Sequence, residues 1–524
     1  MPFNQEKVDV TFISIYSDIQ CYNIRRLSAF LKNKGFTTRI IFMPQPFLKP
    51  YSNEAIKQLV DLSRNARLIC VSVMSNYWDN AVQVTQAIKE LNIPIIWGGV
   101  HTTIRPEECL EIVDMIGIGE GDDTLSMLIS KIKNNESDYT NIPNLYYKKS
   151  GQITKNKLQI FERTDEIQIP DLELENHYIL FRDKIRKMDI KLFRCFYGEE
   201  YVIQCTFGCP YGCAYCCNNA YNRLFGFNFR KRKMEDVIKE LKYIKNKFPF
   251  INRVRIDDDN FFCYSIPELE FFRDNYKEHI NLPLSVRGGH PLTIKKDVIK
   301  ICVDAGMYRI GMGIQTGSEN TKKIFKRQIP NKAILEACRV ITSFKGLVPT
   351  YDMILDTPWE TKEDVIETLR FILEIPHPYH LALFSMTLFA GTELFEKALN
   401  DGIIKDIKNE VYRKNYASLK DTYLNTLFPL FTYKWVPRKF KEFLLTNKVR
   451  NSNFKGIIKS FLKGIRVVRS KWGLIKFLTR YIIKFDLTRT IFSIKKYYYD
   501  RKYLFSTWTE QKSEEKRQIY QNTQ

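Results

Sequence analysis

Three cysteines, Cys209, Cys213 and Cys216, stand at C-x3-C-x2-C spacing in the run Cys205-Thr-Phe-Gly-Cys209-Pro-Tyr-Gly-Cys213-Ala-Tyr-Cys216-Cys217. One short loop therefore supplies three thiolates. A cubane [4Fe–4S] cluster normally takes four, so three leave one iron open to a substrate or a reagent. Closely spaced cysteines also bind structural zinc, but zinc sites usually pair two C-x2-C knuckles, and no second knuckle follows here. Twelve cysteines in 524 residues are too sparse for a disulfide framework. Cys205 and Cys217 flank the motif out of register and read as bystanders.

A second group of residues sits where glycine lets backbone approach a bulky ligand. Ser72-Val-Met-Ser75-Asn-Tyr77-Trp78, Gly98-Gly99-Val-His101-Thr102 and Gly117-Ile-Gly119-Glu120-Gly121 each follow a short β-rich run. Glycine after a strand is common in any α/β domain, so these loops alone identify no ligand.

The elements that must carry these residues are legible as two blocks of strand–helix alternation. Residues 8–15, 37–42, 68–73, 94–97 and 115–117 read as strands, with helices over 23–34, 55–62, 79–91 and 122–131. Such alternation argues for a parallel sheet with helices on both faces, which binds ligands at the carboxyl ends of its strands. Residues 201–206, 253–257, 284–287, 309–314, 348–355 and 380–388 read as six further strands with helices between them, a partial barrel whose chemistry also lies at the carboxyl ends. The expected organisation is an α/β chain: a doubly wound parallel-sheet domain over 1–140, a linker over 141–195, a (β/α)6 partial TIM barrel over 196–400 and a helical, basic region over 401–524.

The cysteine spacing resembles the signature of the radical S-adenosylmethionine (SAM) enzymes. The order Gly-Gly-x-His, Pro106-Glu107 and Gly-Glu-Gly ahead of it resembles the cobalamin-binding domain of the B12-dependent members, over roughly residues 8–140. The resemblance implies three cofactors: a [4Fe–4S] cluster on Cys209, Cys213 and Cys216, SAM on its open iron, and cobalamin. Ser72, Ser75, Gly98, Gly99, His101, Gly119, Glu120 and Gly121 would then line the cobalamin site. The family typically lacks D-x-H-x-x-G, the motif that ligates cobalt from below in other cobalamin proteins, and so does this chain. His101 is expected to bond a phosphate, an amide or backbone. Tyr77 and Trp78 either cover the lower corrin face or pack in the core.

In the barrel, Asp257 of Asp257-Asp258-Asp259-Asn260-Phe261 matches the place of a family D-D-x-F run and would accept hydrogen bonds from the SAM ammonium. Arg287 suits the SAM carboxylate, or pairs with an aspartate. Gly313-Ile-Gln315-Thr-Gly317-Ser318 resembles a G-I-E-S-G-S run that contacts SAM, with Gln315 in place of the usual glutamate. Gln keeps hydrogen-bonding capacity but loses the charge. Asp356-Thr-Pro358-Trp359-Glu360-Thr361 resembles the L-P-G-E-T turn with Trp at the glycine position, and Tyr215 matches an aromatic that packs near adenine.

The activity implied is methyl transfer through methylcobalamin to an unactivated carbon, after hydrogen abstraction by the 5′-deoxyadenosyl radical. An external electron donor of flavodoxin or ferredoxin type is implied as partner. The cofactor abstracts the hydrogen, so no protein acid/base pair is expected. A non-methylating member performing cyclisation or rearrangement is the alternative within enzymes, and a cobalamin or iron–sulfur sensor the alternative outside them. A methylthiotransferase fits poorly, because its additional N-terminal cysteine triad is absent.

Net charge is +22, and +17 of it falls between Lys434 and Lys502, where 20 Lys and Arg face three acids. Phe454, Ile457, Ile458, Phe461, Leu462, Ile465 and Val468 recur there at helical spacing between lysines and arginines, a basic amphipathic pattern. Peripheral membrane contact, docking on the barrel and a peptide dock all fit this pattern. No nucleic-acid module is visible and none is expected. The substrate is expected to be a small molecule or lipid-like. No run of 18 apolar residues and no signal-peptide order occurs, so a cytoplasmic, possibly membrane-associated, protein is expected.

Overall fold

The computed structural model describes residues 6–46, 48–160, 167–452 and 455–460. The amphipathic pattern beyond residue 460 lies outside the described residues.

The first block forms one sheet of nine strands: β1 (Val8–Ser14), β2 (Thr38–Phe42), β3 (Ala66–Ser72), β4 (Ile95–Gly98), β5 (Met115–Gly117), β6 (Leu145–Lys149), β7 (Gln152–Lys155), β8 (His177–Phe181) and β9 (Lys184–Lys187). Their order is β7-β6-β5-β4-β3-β1-β2-β8-β9. The centre is parallel, with β1 between β2 and β3. Every residue of β1 is buried, as expected where helices cover both faces. Val10 and Phe12 enter the core on one side, and Ile13 and Ile15 the core on the other.

The stretch expected as a linker is part of this sheet. β6 and β7 add antiparallel to β5, and β8 joins β2 in parallel with β9 antiparallel beside it. Short alternating segments thereby cover both open edges of the parallel core, which would otherwise present unpaired N–H and C=O groups.

The barrel begins at β10 (Glu200–Ile203). A small antiparallel pair, β11 (Thr206–Phe207) and β12 (Arg230–Lys231), brackets the cysteine loop. β13 (Arg253–Asp257), β14 (Leu284–Gly289), β15 (Met307–Gln315), β16 (Val348–Leu355) and β17 (His380–Ser385) complete an all-parallel sheet in the order β10-β13-β14-β15-β16-β17. Alternation in β16 shows how it is built. Pro349, Tyr351, Met353 and Leu355 are buried, and Tyr351, Met353 and Leu355 join the core that Ile366 and Leu369 of the following helix also enter. Thr350, Asp352 and Ile354 are half-buried and face the lumen. That helix, Lys362–Glu374, starts at a capping box in which Thr361 and Asp364 bond each other's backbone N–H.

After the barrel the chain returns to the first domain. The turn Lys408–Tyr412 places the Tyr412 hydroxyl 2.6 Å from Glu108, and Arg413 pairs with Asp79 at 2.8 Å. Helices Tyr423–Phe431 and Arg438–Leu444 follow, burying Leu427, Phe428, Phe431 and Leu444. Among the described residues no helix is long and apolar enough to cross a membrane.

Candidate functional site: a cysteine loop beside an interdomain cavity

The cysteine loop leaves β11 through Gly208, whose φ of +77° and 2.4 Å approach of a would-be Cβ to the Asn228 carbonyl admit only glycine. The loop is fastened on several sides. Cys205 N–H donates to Asp258 at 2.6 Å, Ala214 N–H to the Phe325 carbonyl at 2.9 Å, and Asn222 to the Cys209 carbonyl at 3.1 Å. Tyr211 stacks on His290 with ring centroids 3.5 Å apart. Burial pushes the Cys209 thiol up to about 12, and neighbouring Cys216 and Cys213 add to the rise. Thiols in this setting need positive charge beside them to become thiolates. Arg327 supplies one: Nη1 lies 3.5 Å from Cys213 Sγ and Nη2 donates to the Gly313 carbonyl at 2.7 Å.

Cys209, Cys213 and Cys216 offer three soft thiolate donors from one loop, the ligand type that iron–sulfur clusters take. Cys205 is buried below the loop. Cys217 opens the helix Cys217–Phe225 and faces the cavity described next.

A cavity of about 370 Å³ lies between the carboxyl ends of the first sheet and this helix. Ser72, Gly98, Gly99, Gly119, Glu120 and Gly121 form its floor. Gly98 has open space where a Cβ would stand, and Gly99, at φ +106°, would place one 2.8 Å from the Val73 carbonyl. This is a cradle for a bulky planar ligand, in the position that doubly wound sheets offer. Apolar cover comes from Phe12, Trp97 and Phe225, and Phe225 presses so close to Gly119 that a Cβ there would meet it at 2.6 Å. Two charged pairs frame the cavity. Arg26 holds Asp122 bidentately at 2.7 and 2.8 Å. Arg230 of β12 bonds Glu120 across the domain joint. Burial raises the Glu120 carboxyl while Arg230 opposes that rise.

The remaining first-domain candidates lie elsewhere. His101 is fully buried beside Trp78 and Tyr412, with ring centroids 5.0 and 5.1 Å away. Its Nδ1 meets the Ser75 hydroxyl at 2.9 Å, and burial lowers its pKa to about 3, so the ring is neutral. Neither His101 nor Ser75 lines the cavity. Tyr77 and Trp78 belong to the core.

In the barrel lumen, Asp257 and Arg287 stand side by side at paired positions of β13 and β14. Asp257 lies 3.4 Å from Arg255. Arg287 is exposed and makes no ion pair among the described residues. Its side chain passes over β15 where Gly311 has no Cβ, within 3.2 Å of where one would stand. Asp352 of β16 lies beyond it. Burial raises that carboxyl to about 6, Arg287 pulls it down and Asp257 pushes it up. Gln315 adopts φ +73° and folds its amide back over Gly313. Gly317 and Ser318 turn away from the lumen: Gly317 N–H donates to Thr368, and Ser318 caps its helix and bonds Asp364 at 2.6 Å. The Tyr215 ring is packed on Phe325 at 5.0 Å.

Several contributors escaped the motif reading: Arg26, Asn218, Tyr221, Phe225 and Arg230 at the cavity, Arg327 at the thiols and Asp352 in the lumen. Helical spacing after Cys216 offers a signal for Asn218, Tyr221, Asn222 and Phe225, which share one face. Strand alternation offers one for Asp352. Nothing local marks Arg327 or Arg230.

Comparison with known proteins agrees with this geometry. The B12-binding domain model matches residues 8–129, and the radical SAM superfamily model matches residues 203–372. A tRNA-2-methylthio-N(6)-dimethylallyladenosine synthase of Sulfurihydrogenibium sp. is 24% identical over 302 residues, and the match covers 52% of this chain and 61% of that protein. This chain thus spans less than two thirds of that relative. The fold matches the radical SAM methyltransferase TsrM of Kitasatospora setae, solved with tryptophan substrate and a SAM analogue, at TM-score 0.61 and 16% identity over 75% of this chain and 76% of that one. It also matches the cobalamin-dependent SAM radical enzyme OxsB, solved with aqua-cobalamin and SAM, at TM-score 0.58 and 18% identity over 76% of this chain and 56% of that one. A B12-binding domain followed by a radical SAM domain that presents three cysteines on one loop gives this chain the domain pair of the cobalamin-binding radical SAM enzymes, with a [4Fe–4S] cluster, SAM and cobalamin as the cofactors of that pair.

Proposed function

We infer that the protein is a methyltransferase that passes a methyl group through cobalamin to an unactivated carbon of a small-molecule or lipid-like substrate. The observation that carries this reading is the shared wall between the two cofactor regions: the helix that starts directly after Cys216 is also the roof of the glycine-floored cavity. That shared helix supports a reading in which electron source and methyl carrier act within one helix of each other. When bound, the cluster delivers an electron to SAM and cobalamin supplies the methyl carrier.

This chain's residues do the holding and screening. Cys209, Cys213 and Cys216 would bind three irons, and Arg327 offsets their negative charge. Arg287 would take the SAM carboxylate as a bidentate donor, and Asp257, paired with it across the strands, would take the ammonium. Ser72 and the glycines of the first domain would let a corrin approach backbone closely, and His101 does not line their cavity. Phe12, Trp97 and Phe225 exclude water. Arg230 and Glu120 close the joint.

The test uses anaerobically reconstituted protein with hydroxocobalamin, SAM, a strong reductant and candidate substrates. Release of both 5′-deoxyadenosine and S-adenosylhomocysteine, with a product heavier by a deuterated methyl group when labelled SAM is used, supports the reading. Deoxyadenosine without S-adenosylhomocysteine points to a non-methylating radical enzyme. Absence of any SAM cleavage by a protein loaded with cluster and cobalamin sinks the enzyme reading and favours a sensor.

A further inference from the structure

We propose that the face formed by residues 433–448 binds the surface of an anionic phospholipid bilayer. Three large aromatic side chains stand out on this face: Trp435 at 74% exposure, Phe440 at 46% and Phe443 at 43%. Helix Arg438–Leu444 turns Leu444 and Lys441 inward, and the Lys441 ammonium is spent on the Phe431 carbonyl at 2.8 Å. Phe440 and Phe443, three residues apart, therefore share the outer face, with ring centroids 6.4 Å apart, and Trp435 sits against Tyr433 at 5.7 Å. Trp435 with Tyr433, and Phe440 with Phe443, thus form two aromatic pairs within eleven residues of chain, and exposed aromatics of this size mark a contact surface. Their company specifies the partner. Lys434, Lys439 and Lys448 are exposed around them and make no ion pair among the described residues. Arg438 meets Glu374 and Glu442, so the acids near the patch are already engaged. Aromatic rings flanked by lysines suit the headgroup boundary, where the rings enter the acyl edge and the cations are attracted to anionic lipid.

The obvious rival occupant is the chain's own C-terminal sequence. Between positions 461 and 502 it carries twelve Lys and Arg against two acids. A strongly cationic segment is a poor cover for a cationic patch, whereas an anionic surface complements both. The inference is independent of the methyl-transfer reading.

Full-length protein is sedimented with vesicles of phosphatidylcholine and phosphatidylglycerol in equal parts, and with phosphatidylcholine alone. Binding to the anionic vesicles only, weakened by salt, is expected. Combining Trp435→Ala, Phe440→Ala and Phe443→Ala is expected to weaken it at least about tenfold. Lys434→Glu with Lys439→Glu and Lys448→Glu is expected to weaken it similarly. Unchanged iron and cobalamin content verifies that both variants fold. No binding, equal binding to neutral vesicles, binding indifferent to the aromatic variant, or displacement by a single-stranded RNA oligonucleotide would each overturn the proposal.

Discussion

At the scale of single residues, the site depends on charge balance around buried groups. Replacing Cys209, Cys213 or Cys216 by alanine is expected to reduce bound iron and sulfide to background while cobalamin is retained, because the cavity floor belongs to the other domain; metal and cobalamin analysis of the purified variants checks this. Arg327 donates toward Cys213 and is anchored on Gly313. Hydrogen bonds and positive charge at a cluster sulfur raise its reduction potential. Arg327→Met is therefore expected to lower the potential measured by an EPR-monitored redox titration, with Arg327→Lys restoring part of the shift. Glu360 offers a pH test. Burial raises its carboxyl to about 7, Thr321 opposes the rise, and Asp364 and Asp356 add to it. A carboxyl raised in the folded state binds its proton more tightly there than in the unfolded chain. Its destabilising contribution is absent below about 4.5, the ordinary value, and complete above about 7. Glu360→Gln is accordingly expected to gain stability over the parent as pH rises through that window, by at most ~3 kcal/mol, read from denaturant midpoints at several pH values.

At the scale of elements, the strands and helices were largely legible, and their ends carry the function. Short β-rich runs marked β1, β3, β4 and β5, the last two closed by glycine, and strand–helix alternation marked β13 to β17. The stretch over 141–195 was not legible, because a two-stranded ribbon that completes a sheet edge looks locally like a polar connector. Whether such a ribbon pairs depends on an edge built by residues far away in sequence. The loop after β4 shows how narrow the local tolerance is. Gly99 combines positive φ with a would-be Cβ 2.8 Å from the Val73 carbonyl. Gly99→Ala is expected to cost about 1–3 kcal/mol from backbone strain and to displace the cavity floor. A lower melting temperature together with reduced cobalamin retention on gel filtration checks it; reduced stability with full retention would show that the floor does not contact the ligand.

For the whole molecule, the decisive feature is the joint between sheet and barrel. It is apolar where Phe225 meets Gly119, charged where Arg230 meets Glu120, and reinforced on the far side by Tyr412 with Glu108 and Arg413 with Asp79. Arg230→Ala leaves Glu120 buried beside the cavity without its principal counter-charge, and losing one member of such a pair is expensive. The variant is expected to retain cobalamin several-fold less well than the parent with cluster content unchanged, as measured by equilibrium dialysis and iron analysis. Glu120→Gln with Arg230→Ala should recover part of the loss, because no unpaired charge then remains.

By itself the sequence determined what depends on spacing along the chain: three thiolates from one loop, glycines at the ends of parallel strands, two successive strand–helix blocks, and a basic, aromatic C-terminal region. Thiolate geometry within a loop and the periods of helix and strand are local properties, so they survive being read one residue after another. Tertiary structure alone decided which side chains meet across the fold. It turned His101 into a buried wedge at the domain joint, brought Arg327 to Cys213 across a sequence separation of 114, set Asp352 behind Arg287, and made the helix after Cys216 a wall of the cavity. Such meetings are fixed by how two domains dock and which sheet edges remain open, and no local pattern encodes either.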